Sequence, residues 1–152
     1  MTLSVQDRLD IQDLIYRCNW ANDSGSGDEW SGCFLQDGVF DSLGGKIEGR
    51  EALAKFAAKV WSGSDPEWSA FRGSMHFVSN LVIDGHENHA LAQSYLVIFM
   101  PRPGSEVKVI LLGYYSDRLR KVDGRWYFVE RVLRYWPSDV VQAKIDSSTA
   151  TS

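Results

Sequence analysis

Asp23 and His76 are the residues of this chain whose types and placing could do chemistry. Asp23 closes an amphipathic helix in IQDLIYRCNWANDSGSGDEW, and His76 lies in an apolar strand, SMHFVSNLVID. Their spacing suits a buried carboxylate–imidazole dyad inside a small sheet wrapped by helices. A neutral imidazole is a competent base near pH 7 when a partner holds one ring nitrogen protonated. A carboxylate supplies that hold and stabilises the imidazolium formed on proton transfer. The macrodipole disfavours a carboxylate at a helix C-terminus, so Asp23 makes better sense there if a cation forms beside it. The competing reading is that His76 is a satisfied core histidine.

The elements that must position this pair follow from periodicity and punctuation. Leu9, Ile11, Leu14, Ile15, Cys18 and Ala21 recur at helical spacing and predict a first helix from Ser4, its cap, to Asn22. The stretch Asp23-Ser24-Gly25-Ser26-Gly27 breaks it. A short helix over Asp28–Phe34 is expected next, then strands at Val39–Asp41 and Lys46–Glu48 about a Gly44-Gly45 turn, then a helix over Arg50–Trp61. After a loop from Ser62 to Pro66, four long strands follow: Met75–Asp84, Ala90–Met100, Val107–Arg120 and Trp126–Tyr135. Turns separate them at Asp84-Gly85, Pro101 to Gly104 and Asp123-Gly124. Helices followed by a long antiparallel meander predict an α+β fold, with the helices over one face of a curved sheet. One domain over residues 1–146 is expected, with 147–152 as a small, polar, disordered tail.

Composition narrows the partners. A net charge of -4 argues against a nucleic-acid backbone, and no run approaches membrane-spanning length. With no apolar signal stretch at the start, the expectation is a soluble, cytoplasmic protein. Cys18 and Cys33 make no disulfide framework; Cys18 falls on the apolar face of the first helix. There is no glycine-rich phosphate loop, no zinc-spaced Cys/His set and no nucleophilic-serine elbow. The chemistry expected is therefore acid–base work without cofactor or metal.

Six Trp among the aromatics leave enough large rings to wall a pocket as well as fill a core. Trp20, Trp30, Tyr95, Tyr114, Tyr115 and Met100 are the candidate walls for a small-molecule substrate, with core packing as the alternative for each. Strict alternation along the strand would put Asn80 on the face of His76, where its amide could meet a substrate oxygen. Arg131, in VERVLRYW, must be paired or face a polar cavity. It could steady a departing anion, or be tied to Glu130, Asp117 or another carboxylate.

The segments DRLDIQDLIYRCNWAND, LQDGVFDS, IEGREALAKFAAK, MHFVSNLVIDG and DRLRKVDGRWYFVERVLRYW together resemble the SnoaL-like branch of the nuclear-transport-factor-2-like superfamily. Within it the chain is most similar to the scytalone dehydratase and hexachlorocyclohexane dehydrochlorinase group. The resemblance implies a cone-shaped, cystatin-like α+β barrel. It also implies a lyase in which His76 is the base, Asp23 polarises it, and Arg131 matches an arginine on the final strand. The second pocket histidine of scytalone dehydratase has no counterpart, since His86 and His89 fall at a turn. Elimination of water, halide or a small carbonyl fragment from a hydroxylated aromatic or alicyclic compound is the expected reaction. An isomerase or polyketide cyclase, or a non-catalytic binding or assembly subunit, are the alternatives. The family also implies a homo-oligomer, a trimer before a dimer.

Overall fold

The computed structural model describes residues 2–101, 104 and 106–149. Helix α1 (Val5–Asp23) starts at a capping box: the Ser4 hydroxyl accepts from Asp7 N–H, and the Asp7 carboxylate accepts from Ser4 N–H. Its inner face carries Ile11, Leu14, Ile15, Cys18 and Ala21, all buried. The short helix α2 (Gly27–Gly32) ends sooner than the sequence suggests, and strand β1 (Phe34–Ser42) begins sooner. The cause is a partner distant in the chain. Phe34 is in register with Phe128, and Phe128 N–H donates to Cys33 O at 2.9 Å. Strand β2 (Gly45–Glu48) and helix α3 (Arg50–Ser62) follow. A 3-10 turn at Ser69–Phe71 leads into four long strands. These are β3 (Met75–His86), β4 (His89–Pro101), β5 (Val107–Val122) and β6 (Arg125–Tyr135).

The strands form one sheet in the order β2-β1-β6-β5-β4-β3. The fold is the expected α+β class. The sheet is curved and open rather than closed, with β2 and β3 as its edges, and it is not wholly antiparallel: β1 runs parallel to β6. Its inner face packs against α1 and, around Trp30, Phe40 and Phe56, against α2 and α3. A helix α4 (Asp139–Thr149), which apolar spacing does not announce, takes in Ser147 to Thr149; the rest of the expected tail, 150–152, lies outside the described residues. Part of the Pro101 to Gly104 turn does too. Among the described residues no helix is long and apolar enough to cross a membrane.

Asp7 also ties α1 to the far hairpin. Besides Ser4, its carboxylate accepts from Lys121 Nζ at 2.7 Å and Trp126 Nε1 at 3.0 Å. The Lys121, Ser4 and Trp126 donors together hold its carboxyl well below the usual carboxylate range. A depressed folded value contributes stability that is present above the unfolded value, about 3.9, and is lost as pH falls towards the folded one. Asp7→Asn is therefore expected to melt below the parent at pH 7, with the gap closing as pH drops below about 4. Thermal melts at a series of pH values check this; a gap that stays constant would mean the carboxylate charge is not what stabilises this contact.

Candidate active site

The end of α1 and the start of β3 lie side by side, and Asp23 joins them. Its Oδ1 is 2.5 Å from Nδ1 of His76, and its Oδ2 accepts from the backbone N–H of the same residue at 2.9 Å. An ionised carboxylate only accepts, so Nδ1 carries the proton and Nε2 presents its lone pair. Asn22 Nδ2 stands 3.2 Å from Nε2 and donates to it. Both ring nitrogens are thus engaged and the tautomer is set. The His76 side chain is 8% exposed and Asp23 21%, which keeps bulk water away from the contact.

Asn22 is itself held in place. Trp61, in the last turn of α3, donates from Nε1 to the backbone carbonyl of Asn22 at 3.2 Å. The approach depends on Gly25, whose φ is +78° and where a Cβ would stand 2.9 Å from the Trp61 ring. Any other residue there would meet both a strained backbone and an occupied space.

His76 and Asn22 open on a narrow cavity of about 50 Å³. Trp61, Trp68 and Phe71 wall it on the side of α3 and the 3-10 turn, and Ile98, Tyr115 and Leu133 line it from the sheet. The rings brace one another, with Phe56 5.9 Å from Trp68 and Trp68 5.2 Å from Phe71 between centroids. Ser74, two positions before His76, also lines the space.

Arg131 belongs to the same wall but is 1% exposed and fully engaged. Its Nε and Nη2 each donate to Asp117 at 2.9 Å, a bidentate pair between residues directly opposite on β5 and β6. Its guanidinium lies 4.0 Å over the Tyr115 ring and 4.2 Å over Phe128. Burial works against the Arg131 charge, but Asp117 outweighs it and holds the guanidinium above its ordinary value. Burial pushes the Asp117 carboxyl up, opposed by Arg131. Burial likewise raises Tyr115, so it stays a phenol, able to donate.

The structure therefore brings together Asp23, His76, Tyr115 and Arg131, with the arginine in the ion pair to Asp117 that was its alternative. Trp30 also reaches the cavity. Four other expected wall residues do not. Trp20 is 77% exposed on the outer side of α1. Tyr95 is 45% exposed on the outer face of the sheet, its ring 4.9 Å from Trp136, and Tyr114 lies beside the same ring. Met100 is half-buried beyond the irregularity between Ile98 and Phe99 and does not line the cavity. Asn80 fails for a structural reason. It sits at φ +53° in a bulge where Asn80 and Leu81 face the single residue Ser94, so alternation skips a step. Val78, Leu81 and Ile83 pack inward, while Asn80 and Val82 turn to solvent.

Asn22, Trp61, Trp68, Phe71 and Ser74 are among the cavity residues that sequence reading missed. A signal existed for two of them: Asn22 adjoins Asp23, and Ser74 precedes His76 by one period of the strand. Among the described residues no group of three His, Cys, Asp or Glu side chains stands close enough to hold a metal. Cys18 and Cys33 are buried free thiols, and Cys18 Sγ accepts from Arg131 Nη1 at 3.7 Å.

Comparison with known proteins gives a consistent picture. A protein of unknown function from Mycobacterium tuberculosis is 28% identical, with a TM-score of 0.75 over 88% of this chain and 74% of its own. A protein of unknown function with a cystatin-like fold from Nostoc punctiforme is 25% identical, with a TM-score of 0.78 over 91% of this chain and 97% of its own. A candidate scytalone dehydratase from Novosphingobium aromaticivorans is 25% identical, with a TM-score of 0.70 over 86% of this chain and 85% of its own. No curated protein matches the sequence. The SnoaL-like domain profile matches residues 3–132, nearly the whole span from the first cap to the last strand, and the chain belongs to the SnoaL-like domain family.

Proposed function

We propose that this protein is a cofactor-independent lyase in which His76 removes a proton from a small ring-bearing molecule and so expels a leaving group. One observation supports it above the others: His76 Nδ1 lies 2.5 Å from Asp23 at the edge of an aromatic-walled cavity that Nε2 can serve. Nε2 takes the proton of a C–H bond. The electron pair of that bond becomes a carbon–carbon double bond, and the leaving group departs from the neighbouring carbon with its own bonding pair. Asp23 balances the imidazolium. If the leaving group is hydroxide, the proton on Nε2 completes a water molecule; a halide leaves as the anion. Tyr115, held as a phenol, is the donor on the wall for a departing oxygen. Arg131 contributes its charge from behind Tyr115, with its fork already taken by Asp117.

Asn22 must yield Nε2 for this to happen, since the two are bonded in this structure. The cavity must also widen, because about 50 Å³ holds only a few waters. Rotation of the Asn22 side chain would free Nε2, and movement of the Trp61 and Trp68 rings would widen the cavity, since Trp61 Nε1 is bonded to the backbone carbonyl of Asn22 and not to its side chain. The structural likeness to a candidate scytalone dehydratase favours elimination. An isomerase or cyclase would begin with the same proton abstraction and differ in the fate of the carbanion. A purely binding or assembly role accounts less well for a carboxylate and imidazole in contact beside a cavity.

The test is to incubate the protein and His76→Ala with hydroxylated aromatic and alicyclic metabolites, without cofactor, and follow masses. A product lighter by water, halide or a carbonyl fragment, absent with the variant, is expected. A product of unchanged mass would move the assignment to an isomerase. Retention of every compound unaltered in tight complexes would move it to a binding protein.

The outer face of the sheet exposes Met75, Phe77, Val82, Tyr95 and Leu112, with Phe77 4.9 Å from Phe99 between ring centroids. A monomer rarely leaves so many large apolar residues uncovered together. We propose that a second and third copy cover it. Light scattering is expected to give a multiple of 17.2 kDa, reduced by Phe77→Asp; a monomer at working concentration rules this out.

A further inference from the structure

Ser74 stands apart from the other polar groups at the cavity. It is 3% exposed, it lines the space that His76 borders, and its Oγ is buried without a hydrogen-bond partner among the described residues. His76 and Asn22, by contrast, satisfy each other. A buried hydroxyl left unpaired is unfavourable, and serine ordinarily escapes by bonding its own neighbouring backbone. Ser74 does not, although its N–H donates to Phe71 O at 3.0 Å and so already fixes the turn. The local structure thus has no use for the hydroxyl; alanine would pack there equally well, as Ala90 and Ala92 do on the inner face of β4.

From this we propose that Ser74 is a substrate-positioning residue whose hydroxyl binds an oxygen of the ligand. The statement rests on the cavity being the substrate site and adds the class of compound it takes. The walls beside Ser74 are the rings of Trp61, Trp68 and Phe71, so the body of the ligand is an apolar ring. The group it offers to Ser74 is a neutral hydroxyl or carbonyl. A carboxylate or phosphate would be left undercompensated, because the arginine in this wall is bidentate to Asp117 and, among the described residues, no other Lys or Arg lines the cavity. Lying one strand period before His76, Ser74 would fix the ring by its oxygen and leave a carbon of the ring for Nε2.

The experiment uses phenol and toluene, which share a ring and differ in the oxygen. Each is titrated into the protein, Ser74→Ala and His76→Ala, with the Trp61 indole N–H signal read by NMR, and each variant is also melted. The parent is expected to bind phenol about tenfold more tightly than toluene, and Ser74→Ala to lose that preference. Ser74→Ala should melt no lower than the parent, since it removes an unpaired hydroxyl; a structural role predicts a lower melting temperature instead. If Ser74→Ala keeps the preference while phenol still shifts Trp61, Ser74 is not the oxygen site, and the cavity reading stands. If the preference disappears in His76→Ala but not in Ser74→Ala, the oxygen is held by the histidine and the proposal fails. If neither compound shifts Trp61 in the parent, the cavity is not a ring-binding site and both readings fall together.

Discussion

Asp23→Asn is expected to lower turnover by about 10³- to 10⁴-fold while leaving the fold intact. The amide is isosteric with the carboxylate, so the bond from His76 N–H to Oδ2 can persist on the amide oxygen. The amide nitrogen then faces Nδ1 as a donor. Nδ1 must become the acceptor, and the ring proton moves to Nε2, the nitrogen that has to be bare. It would there oppose the Asn22 Nδ2 donor, now 3.2 Å away, and force that amide to turn over. Two readouts separate this account from simple loss of structure. Histidine ¹⁵N shifts should report the Nδ1-protonated tautomer in the parent and the Nε2-protonated one in the variant, whether or not a substrate is in hand. Turnover, once a substrate is known, should fall with little change in melting temperature. A variant that keeps turnover within about threefold would remove Asp23 from the chemistry.

The second large effect concerns stability. Arg131→Met is expected to cost about 3–5 kcal/mol, because it leaves Asp117 buried without its counter-charge. In a domain of this size that lowers the melting temperature by roughly 6–20 °C. Replacing both partners, Arg131→Met with Asp117→Leu, should recover most of the loss, since two apolar side chains carry no unpaired charge. The single variant also has a signed pH dependence. Burial already pushes the Asp117 carboxyl up, and without Arg131 nothing opposes it. A group whose folded value is raised contributes stability at low pH that is lost as pH rises, so the deficit of the single variant should shrink on mild acidification. Denaturant unfolding of the parent, single and double variants at two pH values tests all of this. A double variant no more stable than the single one would show that the guanidinium matters for its rings and its shape, not for its charge.

How far the sequence carried depended on whether an element's partners were local. Helix α1 was legible in its apolar spacing and in Ser4, and its final residue, Asp23, could be paired with His76 by side-chain chemistry together with the family resemblance. Strands β3 to β6 were legible as long runs between turns. The bulge at Asn80 was not, since one inserted residue changes nothing in composition yet reverses the face of every residue after it. Nor was the early start of β1, which depends on a parallel partner, β6, at the other end of the chain. Tyr95 is a different kind of miss. The alternation Ala92, Leu96, Ile98 inward already placed it outward, and the attraction of a phenol for a pocket overrode the pattern. For Arg131 the sequence left two readings, and only cross-strand register could set Asp117 directly opposite it.

One wall of the cavity and the carboxylate that orients His76 have separate origins in the chain. Trp61, Trp68, Phe71 and Ser74 all come from the end of α3 and the connection that follows it, whereas Asp23 and Asn22 come from α1. Connections of this kind accept substitution and insertion far more readily than the helices and strands they join. On the proposed reading, selectivity would be rewritten within one short stretch of gene while Asp23 and His76 are kept, and relatives that share the dyad need share nothing of what they act upon.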